Sequence, residues 1–162
     1  MPADPLVASE RISALGGLEI VYVPVIAAAT NIPTRAEIDA GTDLTGEVAD
    51  WTGFTTTSTT IDTPDLTSFV GKLPGRTEAE DSSISLYADR TGDDARAILA
   101  RGTTGFILFM DDGDTAASKM DIYPIQVNTL AKERSMDNAT LLRVDMSMVA
   151  VPVENQTIPA HV

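Results

Sequence analysis

The fold turns on the stretch "GFILFMDDGD", residues 105–114, where an apolar run stops abruptly at three aspartates wrapped around a glycine. Asp-Gly between two β-forming runs is a strong hairpin signal, because these residues tolerate the backbone that tight turns demand. The competing reading is a calcium site, since Asp111, Asp112 and Asp114 could offer carboxylate oxygens from a glycine-containing turn. Their spacing is not that of an EF-hand loop, so a hairpin tip with solvated acids is expected.

Strand signals continue on the C-terminal side. "KMDIYPIQVNTLAKE" (119–133) and "ATLLRVDMSMVAVPV" (139–153) are long and β-rich. In the second, Leu142, Val144, Met146, Met148 and Ala150 share one face, opposite Arg143, Asp145 and Ser147. On the N-terminal side, "DRTGDDARAILARG" (89–102) predicts a helix: Asp93 and Asp94 in its first turn, an apolar stripe of Ala95, Ile98 and Leu99, Arg101 near its end and Gly102 as cap. Before it, "SSISLYA" (82–88) alternates, with Ile84, Leu86 and Ala88 on one face and Ser83, Ser85 and Tyr87 on the other.

Further out, "LTSFVGKLPGR" (66–76) predicts a strand ended by Pro74 and Gly75, with "TEAED" as a link. The threonine tract "TTTSTTIDTPD" (55–65) reads either as a long solvated strand or as a loop ordered by a neighbour. "GEVADWTGF" is extended. "NIPTRAEIDAG" carries a capping box, Thr34 with Glu37, and a stop at Gly41, enough for one or two helical turns. "LEIVYVPVI" (18–26) is a first strand whose end Pro24 confines to an edge or a bulge. Together these predict a mainly β fold, an antiparallel β-sandwich or barrel with one flanking α-helix.

Composition narrows the function. The 162 residues suit a single domain, 1–162, and 24 acidic against 11 basic side chains give a net charge of −13. Such a surface repels a phosphate backbone, which argues against a nucleic-acid binder of the usual sort. The absence of cysteine rules out disulfides, thiolate chemistry and cysteine zinc sites. The first residues lack the basic start and apolar core of a signal peptide, and no apolar stretch approaches membrane-spanning length. The expectation is a soluble protein made and used without Sec export or a membrane.

Chemistry-bearing motifs are missing. There is no G-x-S-x-G elbow, and the one histidine, His161, stands next to the C-terminus, far from a positioned triad. "GTDLTGE" and "RTGDDAR" lack the spacing and lysine of a phosphate loop, and Met146 and Met148 fit core positions. Carboxylate pairs exist in any acidic chain and nominate no glycosidase site. No catalytic residue, metal ligand or cofactor is assigned.

The segment "LPGRTEAEDSSISLYADRTGDDARAILARGTTGFILFMDDGD", Leu73 to Asp114, resembles the major tail tube proteins of long-tailed phages, particularly those of actinobacterial phages. "IPTRAEIDAGTDLTGEVADWTGF", "IDTPDL" and the closing "PVENQTIPA" are similar to the same family, so the likeness runs from about Ile20 onward. The resemblance implies a sandwich or barrel protomer, homohexameric rings stacked into a tube, and DNA passing through the lumen without specific binding. It also implies a virion protein assembled in the host cytoplasm, with tape measure, distal tail and tail terminator proteins as partners.

On that reading Thr55, Thr56, Thr57, Ser58, Thr59, Thr60 and Asp62 are candidate contacts between subunits or rings, within an extended 55–80 segment. The arm 1–15 and the tail 154–162 are further candidates, because termini without their own core fold best onto a partner. Glu47 and Asp50 are candidate lumen acids, from their place in a second strand. Long strands such as 139–153 could supply pairing edges. The alternative is a β-sandwich binding module, a phage or surface adhesin domain gripping carbohydrate or protein; a carboxylate-dependent hydrolase is a distant third.

Overall fold

The computed structural model describes residue 3 and residues 6–161; residues 1, 2, 4, 5 and 162 of the expected arm and tail lie outside the described residues. In chain order the strands are β1 (Glu19–Val23), β2 (Thr42–Asp43), β3 (Val48–Thr52), β4 (Thr56–Thr63), β5 (Gly71–Ala79), β6 (Ser82–Tyr87), β7 (Thr104–Met110), β8 (Lys119–Glu133), β9 (Leu141–Met148) and β10 (Val153–Thr157). The α-helix, α1 (Arg35–Asp39), lies between β1 and β2.

Eight strands form one antiparallel sheet in the order β2-β1-β7-β8-β9-β6-β3, with β10 added to the first half of β8; β4 and β5 form a separate hairpin. Strands β2 and β3 stand at opposite ends of the large sheet, yet only residues 44–47 join them. A link that short spans at most about 18 Å, so the sheet must roll until its two ends approach. Contact across the roll follows: Trp51 of β3 meets Phe109 of β7 with ring centroids 6.2 Å apart. The result is the mainly β, antiparallel sandwich-like barrel that the sequence predicts.

Burial explains the two kinds of strand pattern. Apart from Glu19, the runs EIVYV and GFILFM are apolar because both faces are covered. Ile20, Tyr22, Ile107 and Phe109 enter the interior with Ile84, Leu86, Ile125, Leu142 and Val144, whereas Val21, Val23, Leu108 and Met110 meet Ile38 of α1, Ile26 and Ile158 outside. Strands β6 and β9 alternate in sequence because their second face is polar, open along β9 and at Ser85, although Ser82 and Ser83 are themselves buried. Their apolar residues face inward, and Ser83, Ser85, Arg143, Asp145 and Ser147 face out, as expected.

Residues 53 and 54 turn the chain out of β3. Gly53 has φ of +80°, and a Cβ there would lie 2.3 Å from the Asp81 carbonyl oxygen, so the position admits only glycine without rearrangement. Phe54, also left-handed at φ of 59°, drops its ring between Phe109 and Tyr123 at centroid distances of 4.9 and 5.3 Å.

Several expectations are corrected. The helix over 89–102 is only a 3-10 turn at Ala95–Ala97, and α1 is the flanking helix. Local side chains win over the helix there. Asp94 accepts from the Arg96 amide at 3.0 Å and grips its guanidinium, Asp89 accepts from the Thr91 amide, and Gly92 and Gly102 take positive φ. The few residues left between those glycines cannot repay helix nucleation. At α1, by contrast, the capping box forms: Thr34 accepts from the Glu37 amide, and Glu37 accepts from the Thr34 amide at 2.7 Å.

Pro74 and Gly75 lie inside β5 rather than ending the strand, because the register against β4 shifts between Ser58 and Thr60 and the bulge absorbs the missing donor. Residues 64–70 form the hairpin turn. β1 ends before Pro24 and is an interior strand. The long strand at 139–153 is interrupted: β9 stops at Met148, the Val149 amide reaches the Pro124 carbonyl at 3.1 Å, and pairing with β8 resumes at Val153. Ala150 therefore leaves the apolar face, and β9, flanked by β8 and β6, offers no free edge.

Candidate functional site

Register places a polar surface on the outer side of β3, β6, β9 and the second half of β8. One row across it is Asp50, Ser85, Arg143 and Ala131; the next is Thr52, Ser83, Asp145 and Thr129. These short side chains tie to one another. The Thr52 and Ser83 hydroxyls lie 2.8 Å apart, and Thr129 donates to Asp145 at 2.9 Å. Arg143 is the cation of this face, and carboxylates flank it: its Nε donates to Asp145 at 2.9 Å, and Glu133 lies 3.9 Å away. The surface is hydroxylic and net acidic, with its positive charge masked.

The β4–β5 hairpin is the second feature. All eight residues of β4 are exposed, and the pair makes its extensive contacts only within itself. Thr55, Thr56, Thr57, Ser58, Thr59, Thr60 and Asp62 thus sit on a solvated ribbon leaving the barrel, and Asp62 pairs with Lys72 at 3.2 Å. The tip displays Leu66, Phe69 and Val70 to solvent.

The aspartate turn is not a free acid cluster. Asp114 accepts from both terminal nitrogens of Arg35 at 2.5 and 2.6 Å, and Arg35 is buried. Its guanidinium holds the Asp114 carboxyl below the usual range, so the expectation that all three acids stay solvated fails at this position. Asp39, Asp114 and His161 come close enough to suggest a cation site, but Arg35 already fills the space between the two carboxylates with positive charge. Burial and neighbouring Asp121 push Asp111 up. Every buried side-chain polar atom among the described residues has a partner.

Residues 7–161 match the family model described as "Phage tail tube protein". The chain belongs to the phage tail tube protein family. It is a structural tube subunit of the virion tail and not an enzyme. The tail tube fold is also found by comparison with solved structures. The sheath/tube terminator of an extracellular contractile injection system superposes with a TM-score of 0.64 at 9% identity, covering 92% of this chain and 100% of that one. The SPP1 tail tube protein gives 0.56 at 11% identity, covering 88% and 78%. A chain from the tail of an empty gene transfer agent particle, determined with C6 symmetry, gives 0.52 at 13% identity, covering 86% and 96%. At such identities the likeness is one of fold. No curated protein matches the sequence.

Within this tail tube subunit, Asp50 lies on the polar face. Glu47 does not, because it occupies a 3-10 turn (Thr45–Glu47) before β3 rather than the strand. The grouping of Arg143 with Glu133 was not evident from sequence; the alternation of β9 placed Arg143 beside Asp145, but the β8 register that brings Glu133 near is a tertiary fact.

Proposed function

We propose that six copies close into a ring through their sheets, that rings stack into the tail tube, and that the polar face carrying Asp50 and Asp145 lines the lumen. The β4–β5 hairpin, with Thr55 to Thr60 and Asp62, reaches a neighbouring subunit or ring, and the arm 1–15 adds contacts between rings. The exposed side chains of the tail 154–162 join it; the tail's backbone is tied to β8 through β10, and its Ile158 lies in the outer core. The observation that carries this is the hairpin itself. A two-stranded ribbon with no core of its own is marginal in water and gains order from a partner. The sixfold symmetry of the gene transfer agent tail supports the ring size.

A lumen that conducts DNA must not hold it. Net charge of −13 and a masked Arg143 keep phosphate from binding, so DNA slides without specific contacts. The tube ends meet tape measure, distal tail and tail terminator proteins, and assembly takes place in the host cytoplasm. Electron microscopy of the purified chain at rising concentration tests the core of this reading: sixfold rings or tubes are expected, and a particle that stays monomeric throughout overturns it.

A further inference from the structure

Where the rolled sheet fails to close, a groove of about 510 Å³ opens between its two ends. Its walls include Leu15, Leu18 and Ile20 on one side and Val48 and Trp51 on the other, with Asp43 and Glu19 at the rim. That size and mixed, mainly apolar lining match sites that take several apolar side chains at once. Trp51 is the chain's sole tryptophan and is 37% exposed, while Leu15 is 93% exposed, so the groove stands unfilled by the described residues.

The same chain carries an unfilled apolar knob. At the hairpin tip Leu66 is fully exposed and Phe69 is 79% exposed. The tip is shaped rather than frayed: Asp65 accepts from the Thr67 amide at 2.7 Å, and the Thr67 hydroxyl lies 2.5 Å from the same carboxylate. Lone exposed apolar residues are ordinary, but a cluster on the end of a projecting ribbon marks a binding surface.

We propose that the tip residues Leu66, Phe69 and Val70 seat in the groove beside Trp51 of a second copy of the chain. The hairpin tip cannot reach the groove of its own subunit. The hairpin leaves the barrel just after Trp51, and the eight residues of β4 carry its tip roughly 26 Å away. Tip and groove are thus different patches at opposite ends of a long arm, and such a heterologous contact either closes a ring or propagates a stack. This rests on the tube-subunit reading and assigns the hairpin its receptor.

The test uses full-length chains. Phe69→Asp removes the knob and leaves the groove; Trp51→Arg blocks the groove and leaves the knob, with Leu15→Asp as a second groove variant in case Trp51→Arg misfolds. Loss of a buried aromatic anchor should raise the concentration needed for assembly by ~30-fold or more. Phe69→Asp mixed with Trp51→Arg should give a 1:1 dimer that grows no further. Trp51 emission, which in that mixture comes only from the Phe69→Asp chain, should shift to shorter wavelength.

Wild-type tubes with Phe69→Asp assembling equally well overturn the proposal but leave the tube reading intact. A raised threshold without the dimer or the emission shift places the knob elsewhere and overturns it too. So does loss of the Trp51 shift on deleting residues 1–12 while Phe69→Asp keeps it, which would make the N-terminal arm the occupant. Wild-type chains that never form rings defeat the parent reading instead.

Discussion

Arg35 of α1 donates from its two terminal nitrogens to the two carboxylate oxygens of Asp114, at 2.5 and 2.6 Å, fastening the helix to the β7–β8 turn. The pair roofs the outer apolar cluster formed by Val21, Leu108 and Ile38. His161 joins the same point, its ring nitrogen 3.1 Å from the Asp114 carbonyl oxygen.

Asp114→Asn is expected to cost about 2 kcal/mol, since it leaves a buried guanidinium short of its counter-charge. Urea unfolding at pH 7 measures this. Because Arg35 depresses the Asp114 carboxyl, the pair's contribution is complete above the unfolded value of about 4 and disappears as pH falls through the lower folded value. Asp94, held low by Arg96, acts in the same sense. Wild-type stability should therefore fall steeply below pH ~4, and Asp114→Asn should flatten that fall; parallel curves would deny the pair its role.

Gly53→Ala should lower stability by about 2 kcal/mol or more, from a left-handed φ and a Cβ forced against the Asp81 carbonyl. Phe54→Ala should cost about 3–5 kcal/mol by emptying the space between Phe109 and Tyr123. Thermal melts of both variants decide, and a melting temperature unchanged at Gly53→Ala would contradict the geometry of the turn.

Replacing residues 55–80 with a short turn should leave the barrel's melting temperature near that of wild type, because the hairpin makes its extensive contacts only within itself. Assembly should be lost. Tubes growing at the usual rate from the shortened chain would remove the hairpin from the interface.

Glu133→Gln with Asp145→Asn unmasks Arg143, and the assembled protein should then bind DNA in a salt-sensitive way, read as fluorescence anisotropy against ionic strength. Asp50→Lys should permit assembly and slow DNA passage. Normal DNA ejection from particles carrying Asp50→Lys would show that lumen charge is dispensable.

The strands were legible where one local pattern matched one environment. GFILFM and the alternation through Ser83–Tyr87 read correctly because side-chain period follows from strand geometry whatever the neighbours are. Residues 89–102 misled because their acids and glycines suit a helix start and a loop alike; what decided was the grip of Asp94 on Arg96, a contact that period counting does not see. The polar face was half legible: alternation assigned Arg143 and Asp145, while Glu133 needed the β8 register. The groove was not legible, because it exists only where distant ends of one sheet meet.

Tethering β2 to β3 through residues 44–47 has a thermodynamic meaning. Such a short covalent loop holds the sheet ends together at little entropic cost, without spending the outer backbone groups of β3 on each other. The subunit keeps β3 as a strand with one unpaired edge, so a second chain can add to that edge by backbone hydrogen bonds without displacing any strand of the sheet.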